Sequence, residues 1–191
     1  MTPDETRRLG DLFDAHAGRL LAYARRLAEA ADAEDLVSEA FCVAAARLDD
    51  VPSESDRALP WLYAVVRKLA ANHRRSVVRR RDLWQGLLRE TWQQAAHQSG
   101  VEAAVARESA IRALAALTEA DRELLLLIAW DGLDVQQAAV VLGVRPATLH
   151  VRLHRARARL AAAERSLDLD HPPPAPSSAL VAAPSTSRST P

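Results

Sequence analysis

The most constraining feature of this chain is the spacing of caps and turn residues near its C-terminal end. Asp134 and Gln137 stand three residues apart, as in a capping box, where each side chain bonds to the other's backbone amide. Gly143 follows at a distance suited to a tight turn, and Pro146 suits the first turn of another helix. Two short helices joined in this way can place the second one in a DNA major groove. We therefore predict a helix-turn-helix that ends near Leu160.

The second helix of this motif, residues 146–160, separates apolar from polar residues when it is drawn at about 100° per residue. The expected core side consists of Leu149, Leu153, Ala156 and Leu160. The expected DNA-contacting set consists of Arg145, Thr148, Val151, Arg152, Arg155 and Arg159. We assign Arg152 and Arg155 to guanine edges and Arg145 to phosphates, together with Arg159. The alternative is an arginine-rich solvated helix at the end of an ordinary bundle, but the agreement of caps, turn glycine and inward leucine favours DNA binding.

Charge is unevenly distributed along the chain, although the formal net charge is zero. Eight acids and a single arginine lie between Asp32 and Asp56, whereas eight basic residues and no acid lie between Arg57 and Arg81. Because an acidic surface repels DNA, the first of these segments fits a protein partner better. The simpler interpretation of the acids is that they cap helices and solvate a helix surface.

A basic helix is expected to begin near Pro60, since proline suits a first helical turn. The segment carries Trp61, Tyr63, Arg67, Lys68, Asn72, His73, Arg74, Arg75 and Arg79. This mixture of rings, amides and cations suits single-stranded or distorted DNA, where bases stack on rings and cations follow phosphates. A solvated charge cluster around a core tryptophan is an equally strong alternative.

Apolar residues recur at helical spacing and glycine is scarce, so we predict an all-α chain with two small helical domains. The expected divisions are an N-terminal domain over residues 1–82, a linker over 83–106, a helix-turn-helix domain over 107–166 and a disordered Pro/Ser/Ala-rich tail over 167–191. Asp32 is expected to cap the second helix and Thr118 a helix of the second domain.

The residues give little support to an enzyme. His150 and His154 are four apart on one helix, a spacing that can bind a metal, but no cysteine or carboxylate cluster accompanies them. The chain has no Walker loop or GxGxxG motif, and Cys42 is its only cysteine. Neither a signal-peptide core nor an apolar run of the ~20 residues that a membrane span needs is present. We expect a cytoplasmic protein that is not an enzyme and holds no cofactor or metal.

Three motifs resemble those of the extracytoplasmic-function (ECF) sigma factors, sigma-70 family subunits that recognise promoters for bacterial RNA polymerase. Residues 32–41, DAEDLVSEAF, resemble the polymerase-docking helix of that family. Residues 59–75, LPWLYAVVRKLAANHRR, resemble its promoter-melting helix, and residues 117–157 resemble its C-terminal helix-turn-helix domain. The resemblance runs from about Leu12 to Leu160, and the order and spacing of the motifs make it specific.

The resemblance implies partners and residue roles. It implies that Asp35, Leu36 and Glu39 bind core RNA polymerase. It implies contacts to the opened −10 promoter element by Trp61, Lys68, Asn72, His73, Arg74 and Arg75. The DNA-contacting set of the helix-turn-helix would face the −35 element as duplex, and an anti-sigma protein would be a further partner.

Two other interpretations stay open from the residues. A one-component transcriptional regulator would bind duplex DNA through the helix-turn-helix and use its N-terminal helices to dimerise or to bind a ligand. An interaction protein would keep the fold and bind no DNA. Association with core polymerase separates the sigma factor from both.

Overall fold

The computed structural model describes residues 1–73 and 101–170, and every regular element within these ranges is helical. The helices of the first range are α1 (Pro3–Arg25), α2 (Ala30–Ala46) and α3 (Ser55–His73), with a single 3-10 turn at Leu48–Asp50. Those of the second range are α4 (Val101–Ala116), α5 (Glu119–Ala129), α6 (Val135–Leu142) and α7 (Pro146–Asp170). The all-α prediction is therefore confirmed.

The N-terminal unit is a bundle in which α1, α2 and α3 pack against one another. Thr2 and Glu5 form a capping box that starts α1, and Pro3 occupies its first turn. The bundle is filled by apolar side chains from the inward faces of the three helices, beginning at Leu12 in α1 and at Ala33 in α2. Its most fully buried large side chains are Leu20, Tyr23, Leu36, Leu62, Tyr63 and Val66. Phe13, which the apolar spacing of α1 places with the core, is instead half exposed beside the ring of Phe41.

The predicted cap of α2 is wrong. The helix begins two residues before Asp32, and its N-cap is Glu29, which makes no side-chain cap bond. The reason lies in the preceding turn. The carbonyl of Ala24 accepts from the amides of Leu27 and Ala28, so the chain changes direction soon after α1 and the next helix begins before Asp32. Asp32 therefore lies inside the first turn, where a carboxylate still interacts favourably with the helix dipole.

The predicted start of α3 is also wrong, because the helix begins at Ser55 and Pro60 lies inside it. A proline in that position removes the amide that would bond to the carbonyl four residues earlier. That carbonyl belongs to Asp56, and it accepts a hydrogen bond of 2.9 Å from the side-chain Nε2 of Gln137 in α6. A side chain of the second unit thus replaces the missing backbone donor.

The C-terminal unit consists of α4 to α7, with α7 packed against the other three helices. Thr118 caps α5 as predicted, its hydroxyl accepting from the amide of Asp121 at 3.2 Å. The buried guanidinium of Arg122 donates to the carbonyls of Leu114, Ala115 and Leu117. These carbonyls lie at or just beyond the end of α4, where the regular intrahelical donors run out, so the Arg122 guanidinium caps the end of that helix.

The helices extend beyond the predicted domain boundaries. α4 begins at Val101, inside the segment predicted as a linker, and α7 continues to Asp170, four residues past the predicted end of the second domain. The rest of the predicted linker, residues 83–100, lies outside the described residues, as do residues 171–191 of the predicted tail.

Candidate nucleic-acid interface

The helix-turn-helix is formed by α6 and α7, and its local geometry follows the predicted caps and turn. Asp134 Oδ1 accepts from the amide of Gln137 at 2.8 Å, and Gln137 Oε1 accepts from the amide of Asp134 at 2.9 Å. Gly143 has φ +66° and ψ +36°, a left-handed conformation that glycine adopts without strain. The amide of Val144 then bonds to the carbonyl of Ala139 at 3.1 Å, which fixes the turn.

The faces of α7 agree with the helical projection. Leu149 and Ala156 are fully buried and Leu153 nearly so, which anchors the helix on the core of its unit. The exposed side of its first three turns carries Ala147, Thr148, Val151, Arg152 and Arg155. Half of the Val151 side-chain area is open to solvent, on a surface otherwise made of polar and cationic groups. This is the composition expected of a surface that meets thymine methyl groups and guanine edges.

Two arginines of the predicted set differ from the rest. Arg159 Nη1 lies 2.7 Å from Asp121 Oδ2, and that carboxylate is 12% exposed, so the pair links α7 to α5. The guanidinium therefore has a partner within the fold, and the DNA contact of Arg159 stays a prediction. Arg145 is exposed at the start of α7 and borders a groove between the two units.

The exposed side of α3 carries the predicted single-strand contacts that lie in the described range. Trp61, Lys68 and Asn72 fall on one side of the helix at spacings of seven and four residues, Trp61 partly buried and the other two exposed. His73 is the last described residue of the helix, whereas Arg74 and Arg75 lie outside the described residues.

Two other residues of that basic segment point elsewhere. Tyr63 is fully buried, stacks on Tyr23 at 4.4 Å between ring centroids, and donates its hydroxyl to Asp131 Oδ1. Burial, more than the neighbouring carboxylate, raises the pKa of Tyr63 well above its usual value. Arg67 makes a bidentate ion pair with Glu123, and this hydrogen bonding raises the pKa of the guanidinium. The interpretation of Tyr63 as a base-stacking ring is therefore wrong.

The acidic helix α2 exposes Asp35 and Glu39 one turn apart, next to the exposed Cys42. Leu36 is only 1% exposed and belongs to the core. Its predicted place on a binding surface needs correction, since a fully packed side chain supports that surface from beneath. The reason is the helical period, which turns position 36 about 100° away from position 35.

A groove of about 1130 Å³ separates the N-terminal part of α3 from the turn between α6 and α7. Acids dominate its polar lining. The charged and large apolar residues on it include Asp50, Glu54, Arg57, Trp61, Val140 and Arg145. One member of each predicted DNA-contacting set, Trp61 and Arg145, therefore borders the same groove.

The sequence patterns missed the residues that join the two units, namely Arg19, Arg26, Arg67, Glu123 and Asp131. The one available signal is the position of the two acids: Glu123 lies within the leucine-rich helix α5, and Asp131 follows it. Such acids are ordinary caps and solvated groups in most helices, so the sequence offers no way to pair them with arginines 56 to 112 residues away.

Two family models match the chain. The model for sigma-70 region 2 matches residues 12–81, and the model for sigma-70 region 4 matches residues 107–160. The ECF RNA polymerase sigma factor SigL of Mycobacterium tuberculosis is 32% identical over 146 residues, which are 76% of this chain and 82% of SigL. This chain belongs to the ECF RNA polymerase sigma factors. EcfG of Rhodopseudomonas palustris, another ECF sigma factor, is also 32% identical, over 75% of this chain and 77% of EcfG.

Solved structures have the same fold as this sigma factor. CnrH, solved in complex with the cytosolic domain of CnrY, has a TM-score of 0.53 and 27% identity over 86% of this chain and 90% of CnrH. The sigma factor RpoE of Bartonella quintana, solved with the anti-sigma factor NepR, has a TM-score of 0.54 and 23% identity over 86% and 98% of the two chains. At 23% identity, the likeness to RpoE shows only that the two chains share a fold.

Membership of this family establishes what the protein does. As an ECF sigma factor, the protein binds core RNA polymerase and directs transcription initiation at specific promoters, and the interpretation as a polymerase-independent regulator is not favoured. Sigma factors are regulators of transcription and not enzymes. Within residues 1–73 and 101–170, none of the helices combines the length and the apolar composition that a membrane span requires, and no three potential metal ligands cluster.

Proposed function

We propose that three surfaces of this sigma factor have three separate binding roles. The exposed side of α7 reads the −35 element as duplex, through Arg145, Thr148, Val151, Arg152 and Arg155. Its support is the combination of a buried anchor, Leu149, with an exposed side of small and cationic residues directly opposite. Arg159 belongs to the same predicted DNA-contacting set, and because it pairs with Asp121 it contacts a phosphate only if it exchanges partners.

The proposed −10 surface is the side of α3 that carries Trp61, Lys68 and Asn72, continued by His73, Arg74 and Arg75. A cation, an amide and an indole at seven- and four-residue spacing offer phosphate contact, hydrogen bonding and stacking along one line. Lys68 and Asn72 are both exposed, so this surface needs no rearrangement of its own side chains to meet a strand.

The proposed polymerase-docking surface is the acidic side of α2, with Asp35 and Glu39 at its centre. Both carboxylates are exposed and lie one helical turn apart, over a core that Leu36 fills from beneath. Such a surface attracts a basic protein partner and repels DNA, which keeps the docking side and the promoter side apart.

An anti-sigma protein is the further partner that we propose, with the cytoplasm as the site of action. CnrH, a structural relative, is solved with a cytosolic domain of another protein bound. The acid-lined groove between the two units offers room for a partner helix. We propose no cofactor, metal or catalytic activity for the chain.

Reconstituted transcription tests the proposal. Purified protein is mixed with core polymerase and a genomic DNA library, and transcript starts are sequenced. The proposal expects starts that share a −10 and a −35 sequence and that disappear without the protein. A folded protein that binds a palindromic operator as a dimer, without core polymerase and with no start site, would instead support the one-component regulator.

A further inference from the structure

The helix-turn-helix unit has a small cavity on one flank of α7, outside the proposed −35 contacts. We propose that an apolar segment of this chain's own C-terminal tail, residues 179–183, binds in this cavity and keeps α7 out of the DNA groove. The inference rests on the proposed function for its effect on promoter binding, but the docking itself is measurable without DNA or polymerase.

The cavity lies between α7 and the segment that runs from the end of α5 to the start of α6, and its volume is about 450 Å³. Its apolar lining consists of Ile128, Leu133, Val135 and Leu153. Leu133 and Leu153 are buried, whereas Ile128 and Val135 are only partly buried. Two aliphatic side chains at this cavity therefore keep solvent-accessible surface that another apolar group could cover.

Polar groups border the same cavity, namely Asp134, His150, His154 and Arg157. The ring Nδ1 of His150 lies 3.2 Å from the carbonyl of Pro146, which holds that ring against its own helix. A peptide that leaves water needs partners for its backbone amides and carbonyls, and this border offers a carboxylate and a guanidinium. The cavity therefore suits a short peptide with aliphatic side chains.

The tail beyond Asp170 contains one segment of that kind. Leu180 and Val181 are its only large aliphatic residues, and they lie between small residues in the sequence SALVAAP, residues 178–184. The nearest carboxylate or guanidinium along the tail is at Asp170 on one side and at Arg188 on the other. Burial of the segment therefore removes no ionised group of its own from water.

The length of the tail lets this segment reach the cavity. The helix from Leu153 to Asp170 is about 26 Å long at about 1.5 Å per residue. The stretch from Asp170 to Leu180 contains four prolines and spans up to about 31 Å at about 3.1 Å per residue. The tail can therefore return along α7 with little slack, and its prolines reduce the entropy that docking costs.

A tethered segment needs little affinity of its own to occupy such a cavity. A short linker gives an effective concentration on the order of 1 mM. If the segment alone had a dissociation constant of about 0.1 mM, roughly one molecule in ten would be undocked. Docking at that level is easily reversed, because a ligand that binds only the undocked state shifts the balance toward it.

A docked tail and a −35 duplex compete for the same flank of α7. The major groove is about 12 Å wide, and an α-helix with its side chains is about 10–12 Å in diameter. A helix in that groove therefore has a DNA backbone beside each flank and no room for a peptide. His150, His154 and Arg157 lie on the flank opposite Arg152. The docked tail takes the place of one DNA backbone, so docking and −35 binding exclude each other.

The test measures the distance between the tail and the helix-turn-helix unit in the full-length chain. Spin labels are attached through Ala129→Cys and Ser185→Cys in a Cys42→Ser background. Ala129 is exposed on α5 beside the cavity-lining Ile128, and Ser185 follows the docking segment. We expect one short, narrow distance in the free protein and a broad, longer distribution once the protein, bound to core polymerase, holds promoter DNA.

Dilution of the labelled protein with unlabelled protein separates this docking from exchange between molecules. A distance within one chain is unchanged by dilution, which is the result that we expect. If the short distance is lost on dilution, the tail of a second copy occupies the cavity, and the proposal is overturned.

The decisive variant is Leu180→Ser combined with Val181→Ser, which removes both large aliphatic side chains of the tail. We expect a broad distance distribution without DNA, and about tenfold tighter binding of a −35 promoter by the complex with core polymerase. The matched control, Ala175→Ser with Ala183→Ser, keeps Leu180 and Val181 and leaves the distance and the affinity unchanged. A narrow distance in the decisive variant, or a broad one in the free parent protein, contradicts the proposal.

A charge pair guards against misfolding of a cavity variant. Val135 is partly exposed at the start of α6, so a lysine there is compatible with the fold, and thermal unfolding checks this. Val135→Lys alone and Leu180→Glu alone each broaden the distance distribution. The two together narrow it again, because opposite charges then meet at the cavity. A distribution that stays broad in the combined variant counts against docking.

Polymerase is the other possible occupant of the cavity. If Val135→Lys weakens association with core polymerase and leaves the distance narrow, the cavity binds polymerase and the proposal fails. If the parent protein directs core polymerase to no start site, the proposed function fails instead. The distances in the free protein still decide in that case whether the tail docks.

Discussion

Gln137 donates a hydrogen bond of 2.9 Å to the backbone carbonyl of Asp56, the carbonyl that Pro60 leaves without an amide partner. The other end of the same side-chain amide accepts from the amide of Asp134 and completes the capping box of α6. One side chain therefore starts the helix-turn-helix and repairs the proline-interrupted helix of the other unit. Because Oε1 is fixed by the cap, the orientation of the amide is fixed as well.

The first prediction separates the two tasks of Gln137. Gln137→Glu keeps an acceptor for the capping box but loses the donor to Asp56, so we expect a loss of about 1 kcal/mol in the free energy of unfolding. Gln137→Ala loses both and costs about 1 kcal/mol more. Denaturant unfolding measures both values. In a Pro60→Ala background, the restored backbone amide can donate to the carbonyl of Asp56, so we expect Gln137→Glu to cost less there. An equal cost in both backgrounds contradicts the assignment.

The second prediction concerns promoter selection by Arg152. Arg152→Ala removes a groove contact, so we expect discrimination among −35 sequences to fall by about 1–3 kcal/mol at one base pair, while polymerase affinity is unchanged. Transcription from promoters substituted singly in the −35 element measures this. Arg165→Ala, about 20 Å further along α7, is the matched loss of an exposed arginine and leaves selection intact. Loss of polymerase binding by Arg152→Ala would contradict the role assigned to this residue.

The third prediction assigns Arg159 chiefly to the fold. Because Asp121 is largely buried, Arg159→Ala leaves its carboxylate without an ion partner, and we expect a loss of about 1 kcal/mol of unfolding free energy. Arg155→Ala changes an exposed residue and leaves stability unchanged while it weakens binding to the −35 duplex. Thermal unfolding and duplex binding, measured on both variants, distinguish them. The reverse pattern, a stable Arg159→Ala protein with lost DNA affinity, would return Arg159 to the DNA surface.

The fourth prediction is that charge reversal on α2 abolishes polymerase association. Asp35→Lys with Glu39→Lys turns an acidic helix side basic, so the attraction to a basic partner becomes repulsion. Co-purification with core polymerase measures the loss, and circular dichroism confirms that helical content is kept. Asp4→Lys with Glu164→Lys makes the same change in net charge at exposed sites elsewhere and preserves association. Normal binding by the α2 variant removes the docking role of this helix.

The fifth prediction follows from His16, which is buried on α1. Its Nε2 lies 3.2 Å from the hydroxyl of Ser55, and its Nδ1 has no hydrogen-bond partner among residues 1–73 and 101–170. Burial, and to a smaller extent the charge of Arg19, lowers the pKa of His16 below its usual value of 6.5. The folded protein therefore binds fewer protons than the unfolded chain once the pH falls below 6.5.

Stability should accordingly be complete above about pH 6.5 and should decline as the pH falls toward the lowered pKa of His16. The slope contributed by one proton is at most about 1.4 kcal/mol per pH unit. Denaturant unfolding between pH 5 and 8 measures it. His16→Leu flattens this part of the profile, whereas His150→Leu, at an exposed histidine, does not. An unchanged slope in His16→Leu assigns the acid sensitivity to other groups.

Local chemistry was sufficient to predict much of the fold and the helix-turn-helix. The spacing of Asp134 and Gln137, the turn at Gly143 and the apolar line through Leu149 all depend on backbone geometry within about one or two turns. Information of that range is fully present in neighbouring residues. The same reasoning placed Arg152 and Arg155 on the exposed side of α7.

Residues whose roles depend on distant neighbours were beyond that reasoning. Pro60 marks a helix start by its own preferences, but Gln137, 77 positions later, lets the helix run through it. Leu36 is a similar case, since it is buried while Asp35 and Glu39 of the same helix are exposed. Arg159 is another, because its pair with Asp121 forms only when α7 packs against α5.

One physical cause separates the features that the sequence predicts from those that only the packed structure decides. Helix period, caps and turns are set by interactions a few residues apart, so the amino-acid order alone predicts an all-α chain and most of the faces of the seven α-helices in the described ranges. Ion pairs such as Arg26–Asp131 and Arg67–Glu123 join residues 105 and 56 positions apart. Which carboxylate meets which arginine is decided only when the helices pack, because charge at the surface has many equally good partners until burial selects one.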